Sequence, residues 1–340
     1  MIKIGVIGTA DIAKRKMIPA IKKLTDFVEY VGVAIAKKEE WEFDLDLSDD
    51  GLFNQKKKEK AQCFVQMFGG KVYEGYESLI NDEDIDAVYI PLPPALHYKW
   101  AKLAILNKKH VLLEKPFTIS YEHTKELLEL AQINGVVVWE NYAFCYHKQF
   151  EAIKQMIRTH KIGKVCEIKA NFGFPFRGAE DFRYNKKYGG GALLDCGGYT
   201  IKAALELMDD DVSVDSATLI YEEPYDVDLY GNITLVDKNK QVAHLSFGMN
   251  NYYQCKLEVW GEKGLIIAPR IFTAPEDFEA IVEVHEGKED EIYQYKDDQF
   301  EKSVLTFVEH IEHDKREYSN NIERLSRIID GILKEGQKEG

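Results

Sequence analysis

Met1-Ile2-Lys3-Ile4-Gly5-Val6-Ile7-Gly8-Thr9-Ala10-Asp11-Ile12-Ala13 runs from an apolar stretch through a glycine turn into a helical pattern. Ile2–Ile7 is a short apolar run that ends at a turn signal, the pattern of a buried strand. Gly8 then starts a degenerate G-x-G-x-x-G pattern, with Ala10 and Ala13 at the second and third glycine positions. In this pattern the first glycine permits a tight turn, the small second residue lets backbone approach a diphosphate, and the third lets helix pack on strand. From Ile12 to Leu24 apolar residues fall at helical spacing, so the turn feeds a helix N-terminus with free N–H groups and a positive dipole end. Gly8, Thr9, Ala10, Asp11 and Ile12 are the candidate diphosphate cradle. A small-residue turn in a nucleotide-free fold has the same composition; its place between strand and helix favours the cradle.

Outward from this turn, Tyr30–Ala36, Ala87–Ile90, His110–Leu113 and Val136–Trp139 read as buried strands, and Leu96–Leu106 and Tyr121–Ile133 as helices. Alternation of this kind implies a parallel sheet with right-handed crossovers, a doubly wound Rossmann domain over residues 1–140. Residues 37–60 interrupt it as a charged insertion with little apolar periodicity, read as a solvated excursion or, alternatively, a lid over the adenosine half of a cofactor. Past residue 140 the rhythm changes. A helix (Glu151–Thr159), the run Val165–Phe174, a Gly-rich turn and a helix (Gly197–Met208) precede the strands Ser216–Tyr221, Tyr230–Val236, Gln241–Phe247, Cys255–Trp260 and Ala280–His285. Consecutive strands predict a large, mostly antiparallel open sheet, hence an α+β domain over residues 141–340. The closing helices Phe300–Asp314 and Asn321–Lys334 are candidates to pack back on the first domain.

Composition narrows the function classes. The chain has 340 residues, 45% hydrophobic and 30% charged, which fits a folded protein of two domains. A net charge of −14 opposes nucleic acid and anionic membranes as partners, leaving anionic small molecules to local cation clusters. Five cysteines without a CxxC pair suggest reduced thiols, and the absence of a leader pattern or membrane-length apolar stretch gives a cytoplasmic expectation. Histidines without HxxxH or HExxH spacing give no metal site, and no GxSxG elbow supports a nucleophilic triad.

Three segments carry candidate cofactor chemistry. The tip of the second strand, Ile35-Ala36-Lys37-Lys38-Glu39-Glu40, is where NAD enzymes place a carboxylate for the ribose. Here two lysines come first, which tilts the choice between NAD and NADP toward NADP, while Glu39 keeps NAD open; Ile35 and Lys37 are the candidate contacts. Pro91-Leu92-Pro93-Pro94-Ala95-Leu96-His97 forms a stiff crossover at the carboxyl edge of the sheet, where ligands of such sheets bind. Pro91, Leu92 and His97 are read as cofactor contacts, His97 alternatively as a helix cap. Finally, Glu114-Lys115-Pro116 follows an apolar strand directly, and packing alone does not account for an ionic pair there. A lysine in this place can set its ammonium near a carbonyl that receives hydride.

The turn, the Glu114-Lys115-Pro116 triplet and Gly189-Gly190-Gly191-Ala192-Leu193-Leu194-Asp195 resemble the glucose–fructose oxidoreductase, inositol dehydrogenase and rhizopine-catabolism family over nearly the whole chain. The resemblance implies a Rossmann domain followed by an open α/β domain whose sheet often makes subunit contacts, hence a homo-oligomer, dimer or tetramer. It implies Lys115 as the active-site lysine and Asp195 as its carboxylate. Inositol dehydrogenase-like members carry His four residues after that Asp; Tyr199 stands here, as in the dihydrodiol dehydrogenase and nucleotide-sugar 3-ketoreductase branches. Asp195 and Tyr199 at i, i+4 can share one helix face. A free phenol ionises near pH 10, and a nearby ammonium lowers that value toward useful acid–base work. Tyr199 is therefore the candidate proton donor and Lys115 the stabiliser of a developing alkoxide. Where relatives often show a Tyr-Arg pair, Phe144 and Cys145 stand, so substrate contacts are not carried over to that segment; His147 beside it reads equally as structural or as a ligand.

Arg177, Arg183, Lys186 and Lys187 cluster before the Gly-rich turn of an acidic chain. Because the guanidinium fork suits phosphate, Arg177 and Arg183, with Lys115 and Tyr199, are the candidate substrate contacts, and the substrate is a sugar or nucleotide-linked sugar. The expectation is an NAD(P)-dependent oxidoreductase acting on CH–OH groups. Two rivals stand beside it: a dinucleotide-binding sensor without chemistry, and an oxidoreductase whose tightly held cofactor cycles between two sugars.

Overall fold

The computed structural model describes residues 1–40, 50–208, 211–315 and 319–336. Residues 41–49 of the charged insertion lie outside that description. The chain divides into two compact units, Met1–Asn141 with Phe300–Glu323, and Tyr142–Gln299 with the residues from Arg324 onward.

The first unit contains β1 (Ile2–Ile7), α1 (Ile18–Lys23), β2 (Val28–Ile35), α2 (Asp50–Phe68), β3 (Lys71–Glu74), α3 (Tyr76–Ile80), β4 (Ala87–Ile90), α4 (Pro94–Leu106), β5 (His110–Leu113), α5 (Tyr121–Asn134) and β6 (Val138–Glu140). Its six strands are ordered β3-β2-β1-β4-β5-β6, and every neighbouring pair is parallel. The order reverses beside β1, which places the switch point of a doubly wound sheet at the Gly8 turn. β4 is buried at every position, as a central parallel strand covered on both faces must be. A π-helical turn, Ala13–Met17, joins the Gly8 turn to α1. The charged insertion is corrected in its second half: Asp50–Phe68 is a helix of 19 residues, and Ala61 and Phe64 on it are buried. The stretch Asn54–Lys60 carries no apolar residue, so it shows no helical period.

The second unit contains α6 (Lys148–Arg158), β7 (Val165–Phe174), α7 (Gly198–Leu207), β8 (Val212–Tyr221), β9 (Asp228–Asp237), β10 (Val242–Met249), β11 (Gln254–Gly261), β12 (Gly264–Ala268), β13 (Ala280–Glu286) and β14 (Glu289–Tyr295). These form an eight-stranded sheet ordered β14-β13-β12-β11-β7-β10-β9-β8. Only β7 and β10 pair in parallel, so the open, mostly antiparallel sheet is as the sequence implies. A second π-helical turn, Leu193–Gly197, leads into α7. The chain closes with α8 (Gln299–Glu312) and α9 (Ser319–Gly336).

Candidate active site

In the first unit the Gly8 turn has the geometry a dinucleotide requires. Gly8 has φ +97°, a region L side chains rarely adopt, and its N–H donates to the Ala34 carbonyl at 2.9 Å. A Cβ at Gly8 would lie 2.8 Å from Leu92 Cδ2, so the backbone demands glycine and a side chain there would also press on Leu92. The π-helical turn Ala13–Met17 has no side-chain cap at Ile12. A helix start offers N–H groups to an anion, and the residues present fit a bound dinucleotide diphosphate.

At the β2 tip the structure separates the charges the sequence ran together. Lys37, Lys38 and Glu39 are exposed, whereas Glu40 is buried. The Glu40 carboxylate accepts from the backbone N–H groups of Lys37 (2.7 Å), Tyr76 (2.9 Å) and Glu77 (3.0 Å), tying the tip of β2 to the start of α3. Lys37 lies across Gly75, where a Cβ would be 2.8 Å from its Cε.

Lys115 is held by its neighbours' backbone. Glu114 N–H continues the sheet to the Ile90 carbonyl (3.2 Å), and Phe117 N–H donates to the buried Glu140 Oε1 (2.8 Å). His97 has ring nitrogens at 2.8 Å from the Pro116 carbonyl and 2.7 Å from the Leu92 carbonyl. It is fully buried, and burial pushes its imidazole down to about 4, against the pull of those carbonyls. His97 braces the two loops flanking the carboxyl edge of β4 and β5. The neutral ring has one N–H, so one of the two carbonyls accepts it while the ring packs against the other, and His97 lies between the Leu92 and Pro116 backbones. Glu114 Oε1 accepts from Tyr89 OH and Asn141 Nδ2, both at 2.7 Å; burial raises its carboxyl while these donors oppose the shift. Ser303 Oγ donates in turn to Asn141 Oδ1 at 2.8 Å, extending the network into α8. The sequence reading gives Glu140 and Asn141 no role, although they follow the apolar run Val136–Trp139, the signal that singled out Glu114 and Lys115.

In the second unit the Gly-rich turn shapes a helix start. Gly191 has φ +119°, and a Cβ there would collide with Asp228 Oδ1. Asp228 is 3% exposed and its Oδ2 accepts the Leu193 N–H at 2.6 Å, capping the helix that carries Asp195 and Tyr199. Burial raises the Asp228 carboxyl to about 6, opposed by hydrogen bonds from backbone N–H groups including those of Leu193 and Ala192. Tyr199 is half-buried in a wall of rings. Tyr142 meets it edge-on at 5.0 Å and Phe172 at 5.0 Å, with Phe272 at 5.7 Å and Phe144 at 5.9 Å. These contacts fix the ring plane and hence the direction of its hydroxyl. His147 Nδ1 accepts the Gln149 N–H at 3.1 Å and caps α6.

The two arginines flagged in the sequence part company. Arg177 is exposed and stacks over Phe174 at 4.4 Å. Arg183 instead engages two carboxylates, Asp195 through Nε (2.8 Å) and Asp181 through Nη1 (3.0 Å), so the guanidinium expected to meet a substrate phosphate already pairs with two anions. Lys186 offers its N–H to Asp226 at 3.2 Å. Among the described residues no group of three or more His, Cys, Asp or Glu is placed to hold a metal ion.

A doubly wound sheet with a diphosphate-shaped turn at its switch point, and a second sheet whose helix presents an Asp–Tyr pair, define a two-unit nicotinamide-dependent oxidoreductase. Residues 2–142 match the model of the oxidoreductase family with an NAD-binding Rossmann fold, and residues 150–267 match the GFO/IDH/MocA C-terminal domain. The chain belongs to the GFO/IDH/MocA oxidoreductase family. It is 34% identical to the dTDP-3,4-didehydro-2,6-dideoxy-alpha-D-glucose 3-reductase of Actinomadura kijaniata over 97% of this chain and 94% of that protein. The enzyme of the same name from Saccharopolyspora spinosa is 34% identical over 91% of this chain and 87% of its own. Among solved structures, a 3-ketoreductase from Actinomadura kijaniata in complex with NADP and TDP-benzene superposes with a TM-score of 0.88 at 32% identity, covering 98% of this chain and 97% of that one.

Proposed function

We propose that the protein is an NADP(H)-dependent 3-ketoreductase of a nucleotide-linked deoxysugar. The observation that carries this reading is the similarity to dTDP-sugar 3-reductases along 97% of the chain. Supporting it, exposed Lys37 and Lys38 lead the β2 tip while Glu40 is withdrawn into backbone hydrogen bonds, an arrangement suited to a 2′-phosphate. The dinucleotide is held by Gly8, Thr9, Ala10, Asp11 and Ile12 at its diphosphate, by Ile35 and Lys37 at its adenosine, and by Pro91, Leu92, Glu114 and Lys115 toward its nicotinamide. When bound, the nicotinamide supplies the hydride that reduces the sugar ketone. Tyr199 hands its phenolic proton to the ketone oxygen, and the Lys115 ammonium stabilises the negative charge that develops there. Arg177, exposed on Phe174, pairs with the substrate diphosphate. Because the reading makes the nucleotide part of recognition, it stands apart from a free-sugar dehydrogenase. In the cell we assign it to the cytoplasm as a dimer or tetramer, with exposed Trp260, Ile281 and Ile292 of the large sheet at the subunit contact.

The test is NADPH oxidation with a dTDP-linked 3-keto-2,6-dideoxysugar against the free sugar. Turnover of the conjugate at a kcat/KM at least about a hundredfold above the free sugar is expected, since one diphosphate anchor is worth about 2–3 kcal/mol. Equal efficiency with both removes the nucleotide from the reading, and tight cofactor retention with no turnover of either favours a sensor.

A further inference from the structure

The loop before the Gly-rich turn builds an ion cluster around Asp195, the carboxylate that the family resemblance assigns to the active site. Asp181 starts a short helical turn, Phe182–Tyr184, by accepting the Arg183 N–H at 3.0 Å. The same carboxylate takes Arg183 Nη1 at 3.0 and 3.2 Å, so Asp181 fixes Arg183 by backbone and side chain together. Arg183 Nε then reaches across to Asp195 Oδ2 at 2.8 Å. The guanidinium is packed against the Phe182 ring, 4.5 Å from its centroid, and the side chains of Arg183, Asp181 and Asp195 are 20%, 21% and 13% exposed.

Two glycines make this reach possible. The Gly191 N–H donates to the Arg183 carbonyl at 2.9 Å, and a Cβ at Gly190 would collide with that same carbonyl. Any side chain at Gly190 would push the 181–184 loop off the helix start and take Arg183 away from Asp195. The triple glycine therefore has a purpose beyond bending the chain: it lets one backbone lie on another so that a cation in the loop meets an anion on the helix.

Energetics favour a fixed geometry. Charge-assisted N–H···O⁻ bonds are roughly twice as strong as neutral ones and more so when partly dehydrated. Burial works against the Arg183 charge, but Asp195 and Asp181 outweigh it and hold the guanidinium above its ordinary value. An arginine with two carboxylates in contact has little positive potential left for a phosphate.

We propose that Arg183 is a positioning residue for the known class of reaction: it orients Asp195, one helical turn before Tyr199, and does not bind the substrate diphosphate. Asp181 is the second member of the relay. The inference rests on the reading that Asp195 belongs to the reacting groups.

The experiment uses the full chain with two readouts: dTDP affinity by calorimetry, and steady-state NADPH oxidation with the dTDP-linked keto sugar. Arg183→Gln is expected to lower kcat about thirtyfold or more, in step with Asp195→Asn, with the dTDP Kd within about twofold of wild type. The double variant should be no slower than the slower single, because one relay is broken once, and Arg183→Lys should regain part of the rate. If Arg183→Gln does not fold, Asp181→Asn serves, with a kcat loss of about three- to tenfold and an unchanged dTDP Kd. A rise of about tenfold or more in the dTDP Kd with kcat kept overturns the proposal and makes Arg183 a phosphate ligand. Slow Asp195→Asn with normal Arg183→Gln overturns the relay alone. Normal Asp195→Asn overturns the role given to Asp195, and the relay with it.

Discussion

His97 Nδ1 lies 2.8 Å from the carbonyl oxygen of Pro116, the residue that follows Lys115. Its other ring nitrogen lies 2.7 Å from the carbonyl oxygen of Leu92, the residue that a side chain at Gly8 would strike. One buried ring thus lies between the Lys115 loop and the loop lining the Gly8 turn. The lysine loop is a rigid support rather than a flexible crossover, because Glu140 holds it from the other side at Phe117.

Replacing His97→Ala strands the buried carbonyl oxygen that accepts the single N–H of the neutral ring and empties the space between the two loops. An unsatisfied buried group costs about 1–3 kcal/mol, so urea unfolding should report a loss of about 1 kcal/mol or more. A looser Lys115 loop should also lower kcat more than it weakens dinucleotide binding. A variant with wild-type stability would show that the ring is not a brace.

Gly8→Ala combines a disfavoured φ with a contact on Leu92. The backbone strain alone is about 1–2 kcal/mol. NADPH titration by fluorescence should show affinity down by about tenfold or more, and Gly8→Ala with Leu92→Ala should recover only part of it, since the smaller side chain relieves the contact and leaves the φ unchanged. Full recovery would mean that space, not backbone, demands the glycine.

At the β2 tip, Lys37→Ala with Lys38→Ala should raise the NADP+ Kd about tenfold or more while leaving NAD+ within about twofold, because only the former carries a 2′-phosphate. Glu40→Gln acts differently. It weakens the three N–H contacts that hold the tip, so both dinucleotides should bind less well together. An NADP+ affinity indifferent to both lysines would leave NAD as the better reading.

Much of this was legible before any coordinates. Ile2–Ile7, Ala87–Ile90 and His110–Leu113 were read to the residue, because central parallel strands are uninterrupted apolar runs between turn signals. β3 was missed: Lys71-Val72-Tyr73-Glu74 is a four-residue edge strand with one buried position, and it carries no period. β14, Glu289–Tyr295, is an edge strand too, and its acidic start reads as loop. At the candidate site, Lys115 and Tyr199 were marked by their motifs, whereas Asp228 was one aspartate among several in a polar turn. Its importance comes from the helix start it caps, a contact 35 residues distant in sequence. The pairing of Arg183 with Asp195 was hidden for the same reason: composition shows a basic cluster, and only folding shows which anion each cation has met.

The Asp228 carboxyl makes stability depend on pH with an unusual sign. Its folded value, about 6, lies above the ordinary 3.8, so below about pH 4 both folded and unfolded chains hold the proton. Between about pH 4 and 6 the folded state keeps a proton that the unfolded state releases. This contribution is therefore lost as pH rises through that window, by on the order of 3 kcal/mol. Asp228→Asn keeps an acceptor for the Leu193 N–H and has no charge to bury. Urea unfolding at pH 4.5 and 7.5 should show the variant gaining on the wild type as pH rises; a difference that does not change with pH would remove Asp228 from the account.

Gly198 begins α7 where a Cβ would collide with the hydroxyl of Tyr142, the ring that meets Tyr199 edge-on at 5.0 Å. Gly198→Ala must therefore displace Tyr142, and with it one wall of the Tyr199 enclosure. The helix propensity gained by the exchange, about 1 kcal/mol, is outweighed by overpacking of about 1–3 kcal/mol in a site where Tyr142 is fully buried. Turnover should fall about tenfold or more, because the phenol direction depends on that wall. Tyr142→Phe removes the oxygen that the new methyl would strike and keeps the ring, so Gly198→Ala with Tyr142→Phe should recover both melting temperature and rate relative to Gly198→Ala alone. Failure of the double variant to recover would mean that the glycine is required by the backbone of the helix start itself, and that the enclosure tolerates a shifted Tyr142.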